Sequence, residues 1–535
     1  MSRQKPLVIA ICVVAAAALA TFAPTLGHGF VNWDDDVYVY ANPMFLPLTA
    51  QGVGWIVSHF YYYAYIPVTL SSHALDVAVW GMNPRGHHLT NVLLHAANAV
   101  WVLLLGLVLL RVRRAARPAD LVGVSLAALL FAVHPLRAES VSWVSDRKDL
   151  LCAFFFLPAI MAYVQYTRRR GSGGEQGWWA ASFLLFLLAV FSKSTAAVFP
   201  LVASLLDWLW LGRPRDAAGS VRLLLEKIPF FLVSLLLTAL SLSQAPNALR
   251  AYAVSHLSVA ERYLFPFYSA MFSLYKTALP IRLEPIYPRV ALGPMIACAL
   301  LVAAITALVA RRALRGRPGP ALAWLSYLLL LLPNVVGLSS GMQPVADRYS
   351  YLPTIGCFIL LGAAISWAWE QGGRRRLVAV AACAVLVPAS AARTLSQCAP
   401  WSSSISLWEY VVGSSPPRPD YADAYLNLGT AYAQGGRNAD ALRILERAAV
   451  IDPGRADVLE NLGVIQYGDG DREKAADSFR RATQADPRLA VAFYNLGIVL
   501  DELGRSEEAL AAMTRAAALG STDAQEALKS YTPRP

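Results

Sequence analysis

Three stretches decide the reading of this chain: YLNLGTAYAQGGRNADAL at 425–442, LENLGVIQYGDGDREKAA at 459–476 and FYNLGIVLDELGRSEEAL at 493–510. Asn427-Leu428-Gly429, Asn461-Leu462-Gly463 and Asn495-Leu496-Gly497 recur at a spacing of 34, as do Gly436, Gly470 and Gly504, then Ala441, Ala475 and Ala509. Such a period describes pairs of amphipathic helices joined by a Gly-containing turn, with Asp452-Pro453 and Asp486-Pro487 closing the first two units. Small residues at fixed positions let paired helices approach closely. The units then stack into a curved solenoid whose concave face suits an extended peptide.

This is the tetratricopeptide pattern, and nothing upstream repeats like it. The preceding part is of another kind. Over 535 residues the chain is 56% hydrophobic and 15% charged, with a mean hydropathy of +0.45; a soluble globule would carry nearer ~25% charge. Apolar stretches of near-spanning length lie at about 6–27, 88–110, 119–136, 150–167, 178–194, 196–211, 227–244, 290–310, 320–338, 352–369 and 376–395. The first, with its long apolar core and further spans behind it, reads as an uncleaved anchor rather than a signal peptide. The expected fold is all-α: a polytopic membrane helix bundle over 1–400 with about 11 transmembrane helices and a first outward loop at 28–87. A linker at 401–420 leads to repeats at 421–454, 455–488 and 489–522 and a tail to 535.

Lys and Arg set the orientation. Arg3 and Lys5, Arg111 to Arg117, Arg168 to Arg170, Arg213 to Lys227, Arg311 to Arg317 and Arg374 to Arg376 fall in alternate loops, which are therefore cytoplasmic. The segment 262–280 fits this alternation only as a re-entrant or interfacial piece. The N-terminus then lies inside and the repeats outside. Because the arginines are topogenic, the formal net charge of +11 is no argument for nucleic acid. Cys12, Cys152, Cys298, Cys357, Cys383 and Cys398 show no metal-ligand spacing and read as packing residues.

The outward loops carry a different chemistry. Phe30-Val31-Asn32-Trp33-Asp34-Asp35-Asp36 sets three carboxylates at the outer membrane edge. Crowded there, they raise at least one pKa or recruit a divalent cation (Mg2+ or Mn2+), and either suits a general base beside lipid; a solvated acidic helix cap is the plain alternative. His134-Pro135-Leu136-Arg137-Ala138-Glu139 with Asp146-Arg147-Lys148-Asp149, then Lys193, Lys276 and the run from Ala346 to Pro353, share that side. Snorkelling or a structural ion pair explains any one of these alone. Their common sidedness points to a lipid-phosphate substrate.

Phe30 to Asp35, Tyr65 to Thr69, Trp80 to Pro84, Gly86 to His95, His134 to Leu151, Phe191 to Lys193 and Asp347 to Pro353 together resemble bacterial relatives of the transmembrane and tetratricopeptide repeat-containing protein O-mannosyltransferases. The resemblance implies a GT-C glycosyltransferase body in a bacterial cytoplasmic membrane, repeats in the periplasm or outside the cell, and a polyprenyl-phosphate-linked sugar donor. It implies catalytic acids at Asp34 and Asp35, with Asp36 an added carboxylate and a cation held by Asp34 and Asp35. His134, Arg137, Glu139 and Asp149 match a supporting second-loop motif. Lys193, Lys276, Arg348 and Arg147 would bind the donor phosphate.

The repeats would present an acceptor polypeptide, with Asn427, Asn461 and Asn495 facing it. Transfer would then be a direct displacement onto a Ser/Thr hydroxyl. A membrane-anchored scaffold and a transporter of lipid-linked sugars are the competing classes. The scaffold leaves the acid triplet unexplained, and the transporter predicts polar residues at mid-span depth.

Overall fold

Helices make up every regular element of the described residues, which in the computed structural model are 5–42, 49–61, 64–115, 117–171, 173–213, 216–251, 258–288, 290–335, 345–414, 421–529 and 531. The chain divides into two units, 1–402 and 403–535. The first contains α1 (Lys5–Phe22), α2 (Ala50–Ser58), α3 (Pro67–Trp80), α4 (Pro84–Arg113), α5 (Pro118–Ala132), α6 (Ala138–Ser142), α7 (Arg147–Arg168) and α8 (Glu175–Ser192). It continues with α9 (Phe199–Leu205), α10 (Ala217–Leu225), α11 (Ile228–Ala251), α12 (Val259–Ala278), α13 (Leu292–Leu314), α14 (Gly319–Val335), α15 (Ile355–Gln371) and α16 (Gly373–Cys398).

Local sequence sets several of these limits. Pro67, Pro84 and Pro118 each open a helix, where a missing N–H removes no intrahelical bond. The Asn83 side chain accepts from Arg85 N at 3.1 Å and Asp120 from Arg117 N at 3.0 Å, satisfying N–H groups that a helix start leaves open.

Seven helical segments among the described residues are long and apolar enough to cross a membrane; two bent pairs and two shorter apolar helices lie on the remaining expected stretches. The chain is a multi-pass membrane protein. The first outward loop expected at 28–87 contains α2, α3 and the start of α4, whose apolar residues Ile56, Leu70 and Val77 pack with Val39. One expectation needs correction. The stretch expected to run unbroken over 119–136 turns by 54° after Ala132. Pro135 forces that break, since it cannot donate to the helix.

From the break to the start of α7 the chain runs as short 3-10 and α turns, every residue of 132–146 buried. Irregular backbone inside a bundle must find internal partners, and here α4 supplies most of them. His95 Nε2 donates to Ala132 O at 2.9 Å, and Asn91 donates to Val141 O and Trp143 O at 3.4 and 3.2 Å. Thr394 of α16 donates to Val133 O at 2.7 Å.

In the second unit the repeats are α18 (Ala422–Gln434) with α19 (Asn438–Ile451), α20 (Ala456–Gly468) with α21 (Arg472–Ala485), and α22 (Ala490–Glu502) with α23 (Ser506–Ala518). Their glycines serve two purposes. A Cβ on Gly429, Gly463 or Gly497 would lie 2.6–2.7 Å from Leu445, Phe479 or Met513 of the paired helix, so these three mark close approach. Gly436, Gly470 and Gly504 make the turns at φ of +73°, +90° and +73°.

Residues 404–414, expected as linker, form α17 (Ser404–Ser414) because Leu407, Trp408 and Val411 are buried against the first repeat. At the other end α24 (Thr522–Lys529) packs on α23.

Within the membrane unit α5 crosses α15 at its tightest point. A Cβ on Gly123 would stand 2.4 Å from Gly362 O and 2.5 Å from Ser366 N, both backbone atoms that cannot swing aside. Gly123→Val should therefore lower the unfolding midpoint of the detergent-purified protein, at a cost of about 1–3 kcal/mol. Gly293→Ala, with nothing within 4 Å, should leave it unchanged.

Candidate active site

The three acids at 34–36 are not equivalent. Asp35 is buried, and its carboxylate accepts from Val31 N at 2.9 Å, Ser145 N at 2.9 Å and Ser145 Oγ at 2.5 Å. Burial pushes its pKa up to about 7, against the pull of those donors. It ties the acidic segment to the turn before α7 and has no free oxygen for chemistry. Asp36 opens a π-helical turn, Asp36–Tyr40, and is half-buried.

Asp34 differs from both. It is half-buried and sits at φ +63°, a left-handed backbone that few residues without a glycine's freedom adopt and that collects at functional sites. Burial raises its pKa; the charges of Lys148 and Arg348 pull it back and that of Asp36 raises it further.

Those two cations are held from behind. Arg348 Nη1 donates to Glu139 Oε1 at 2.5 Å and its backbone N to Glu139 Oε2 at 3.0 Å, with Asp146 3.7 Å from Nε. Its guanidinium lies over Trp143 and Tyr349, 5.1 and 4.9 Å from the ring centres. Lys148 Nζ lies 5.1 Å from the ring centre of Tyr38 and 5.7 Å from that of Trp143. Lys193 pairs with Asp149 at 2.6 Å and lies over Tyr349 as well. Glu139, Asp149, Lys193 and Arg348 thus come together, joined by Lys148 and Tyr349 of the same loops and by Trp143.

Trp143 also fixes the acidic segment. Its indole N–H donates to Trp33 O at 2.7 Å, and Trp401 stacks on both Trp33 and Trp143, 6.1 and 5.6 Å between ring centres. Gly29 N donates to Ser402 O at 2.9 Å, so the end of the first unit bonds to the segment that leads into the acids.

Four expected site residues are committed elsewhere. Arg147, expected on the donor phosphate, is fully buried and spends its guanidinium on Asn91 Oδ1, Ser72 O, His87 O and Asp76. Lys276, also expected there, donates to Ile281 O and Arg282 O at 2.8 and 2.7 Å. His134 accepts from Leu136 N on Nδ1 and therefore donates from Nε2 to Thr277 O. Arg137 is buried among Phe131, Tyr351 and Phe358 and donates to Thr354 Oγ1. Each of the four joins elements, and Arg147 also acts through its charge on Asp35.

Asp347 accepts from Tyr287 OH, and burial together with Glu139 pushes its pKa up to about 8. In the repeats, Asn427, Asn461 and Asn495 hold one register position on α18, α20 and α22. Asn461 bonds Asp457 O, and Asn495 bonds Glu460 of the preceding repeat.

The acid pair does not fit a divalent cation. Three donors fill Asp35, Asp34 faces two positive charges, and among the described residues no three His, Cys, Asp or Glu side chains converge as a metal set.

Residues 401–456 and 461–524 match the Tetratricopeptide repeat family. Protein O-mannosyl-transferase TMTC2 of Homo sapiens is 31% identical over 185 residues, 33% of this chain and 21% of that protein. Protein O-mannosyl-transferase TMTC4 of Mus musculus is 29% identical over 238 residues, 40% and 31%. Protein O-mannosyl-transferase Tmtc1 of Drosophila melanogaster is 32% identical over 203 residues, 36% and 22%. The matches span about a fifth to a third of these relatives' own length. Among solved structures, the crystal structure of MamA is 26% identical with a TM-score of 0.21, covering 22% of this chain and 67% of that one. The chain is thus similar over part of its length to the TMTC proteins and carries tetratricopeptide repeats.

Removing Asp35 leaves two buried N–H groups and a hydroxyl without their acceptor. Asp35→Ala should cost about 1–3 kcal/mol per orphaned group, Arg147→Ala about 3–5 kcal/mol by stranding buried Asp76, and Lys148→Ala much less; thermal melts rank them. The raised pKa of Asp35 means that the folded state binds the extra proton between its ordinary 3.8 and about 7. Its contribution to stability is present below that window and declines as pH rises through it. Asp35→Asn should flatten that slope.

Proposed function

We propose that this protein transfers a sugar, mannose or another hexose, from a polyprenyl-phosphate-linked donor to Ser/Thr hydroxyls of an acceptor polypeptide, in the manner of a GT-C glycosyltransferase. The observation that carries this reading is Asp34: a carboxylate on left-handed backbone, poised by burial and facing Lys148 and Arg348. A base next to a place for a departing phosphate is what the reaction requires. That the similar TMTC proteins are protein O-mannosyl-transferases supports mannose as the sugar and a protein as the acceptor.

The acceptor hydroxyl oxygen attacks the anomeric carbon and its proton passes to Asp34. The bond from that carbon to the phosphate oxygen breaks, and its electron pair leaves with the polyprenyl phosphate, inverting the carbon. Lys148 and Arg348 offset the charge that gathers on the leaving oxygen, a preorganised electrostatic role. Glu139 and Asp146 keep Arg348 in place, and Lys193 adds a third cation nearby. The arginine bias supports a position of this face outside the cytoplasmic membrane, where the repeats would hold the acceptor and raise its local concentration.

Asp34→Asn should reduce transfer about 10²–10⁴-fold while expression and the melting curve stay as in wild type, measured with radiolabelled polyprenyl-phosphate hexose and an acceptor peptide. Wild-type turnover in that variant would leave a scaffold as the better reading. Because the base works ionised, the rate should rise with pH through its raised pKa. Lys148→Met removes a charge that lowers that pKa, so the rising limb should move to higher pH. Arg348→Ala should weaken donor use with every acceptor.

A chain ending after Ser402 keeps Trp401 and should retain slow transfer to short peptides while losing full-length acceptors. One ending after Cys398 removes the Trp401 stack and should lose both activities. Equal transfer to full-length acceptor by the intact chain and the Ser402 truncation would assign the repeats to another partner.

A further inference from the structure

A second polar centre lies at the far end of the same helices, about 20 Å along α7 from Asp149 at 1.5 Å per residue. Tyr163 OH donates there to Asp207 Oδ2 at 2.7 Å, and Lys227 and Arg213 pair with the same carboxylate at 2.5 and 3.4 Å. Arg213 and Arg170 each lie 2.8 Å from Glu226, with Arg222 at 3.8 Å. Four cationic side chains thus share two carboxylates, and Lys227 and Arg213 are 2% and 8% exposed. The two buried cations are matched by Asp207 and Glu226, and the surplus of positive charge lies on the more exposed Arg170 and Arg222.

Beside this centre is a cavity of about 340 Å³ whose walls include Ser204, Asp207, Trp208, Arg213, Leu224 and Lys227. One wall is the short helix α10, and it is amphipathic in an unusual sense. Val221, Leu224 and Leu225 form an outward apolar stripe at the i, i+3, i+4 spacing, with Trp208 outward on the facing segment. A helix of that kind, next to Arg222, belongs at the headgroup level of a bilayer. The cavity therefore joins a positive floor to an apolar flank.

We infer that this cavity binds the phosphate headgroup of an anionic membrane lipid, whose acyl chains lie along Leu224, Leu225 and Trp208. Basic pockets between spanning helices take such headgroups, and here Arg213 and Lys227 on the cavity wall outnumber its one carboxylate, Asp207, with Arg222 exposed on α10. The site is separate from the acidic segment and does not depend on the transfer reaction. A free phosphate has the same headgroup chemistry but none of the apolar contact.

The full-length protein in detergent, titrated by native mass spectrometry with dioleoyl phosphatidic acid, dioleoyl phosphatidylcholine or inorganic phosphate, tests this. Phosphatidic acid should bind at least about tenfold more tightly than phosphatidylcholine, and inorganic phosphate should not displace it at equal concentration. Ser204→Phe fills the cavity and leaves all four cations in place, so it should lose that preference with an unchanged lipid-free unfolding midpoint. Leu224→Asp, on an exposed position, should weaken phosphatidic acid in the same direction. Equal retention of the two lipids would overturn the inference, and so would wild-type phosphatidic acid binding in both variants. Displacement by inorganic phosphate as effective as by the lipid would assign the cavity to a small anion instead.

Discussion

A chain in lipid cannot leave a backbone carbonyl unpaired, and the buried run from Ala132 to Asp146 is where that constraint shapes the molecule. Helix α5 stops, the chain turns, and α7 begins only after three short turns. Side chains of α4 and α16 satisfy the carbonyls so exposed: His95, Asn91 and Thr394. With its backbone provided for, the run can place Trp143 and Ser145, and the first turn of α7 Lys148, against the acidic segment. The charged face follows from how the break is satisfied.

The same constraint separates adjacent residues. Arg147 and Lys148 are neighbours in sequence, yet one is sealed among α3 and α4 while the other lies over Tyr38 and Trp143 beside Asp34. A helix turns by about 100° per residue, so consecutive charges in a first turn must face different surroundings. In a medium where each charge needs a partner, facing away is itself a commitment. Arg147 carries fixed structural bonds, whereas Lys148 is left beside the acidic segment.

The repeats, the apolar spans and the acidic segment were all legible in the sequence, because each is written in spacing or local composition. A 34-residue step survives any rearrangement of surroundings, and so does a run of twenty apolar residues. The division of labour among Asp34, Asp35 and Asp36 was not legible. It depends on Ser145, more than a hundred positions away, and on one residue's φ. Lys276 and Arg147 were misread for a similar reason: sidedness told which loops they join, but only packing shows that carbonyls and Asp76 already occupy them. Residues 404–414 carried a readable signal, Leu407, Trp408 and Val411 at helical spacing, that the Ser- and Pro-rich surroundings obscured.

The left-handed backbone at Asp34 also limits what can be inherited there. Of the residues with a Cβ, aspartate and asparagine tolerate that conformation best, and β-branched or bulky ones do so poorly. Glutamate keeps the carboxylate but has no comparable ease at positive φ, so a chemically conservative exchange is conformationally a poor one. Asparagine fits the backbone and discards the charge. The neighbouring states that a gene can reach most easily at this codon are therefore either well folded and uncharged or acidic and strained, which isolates aspartate at position 34 on any route of gradual sequence change.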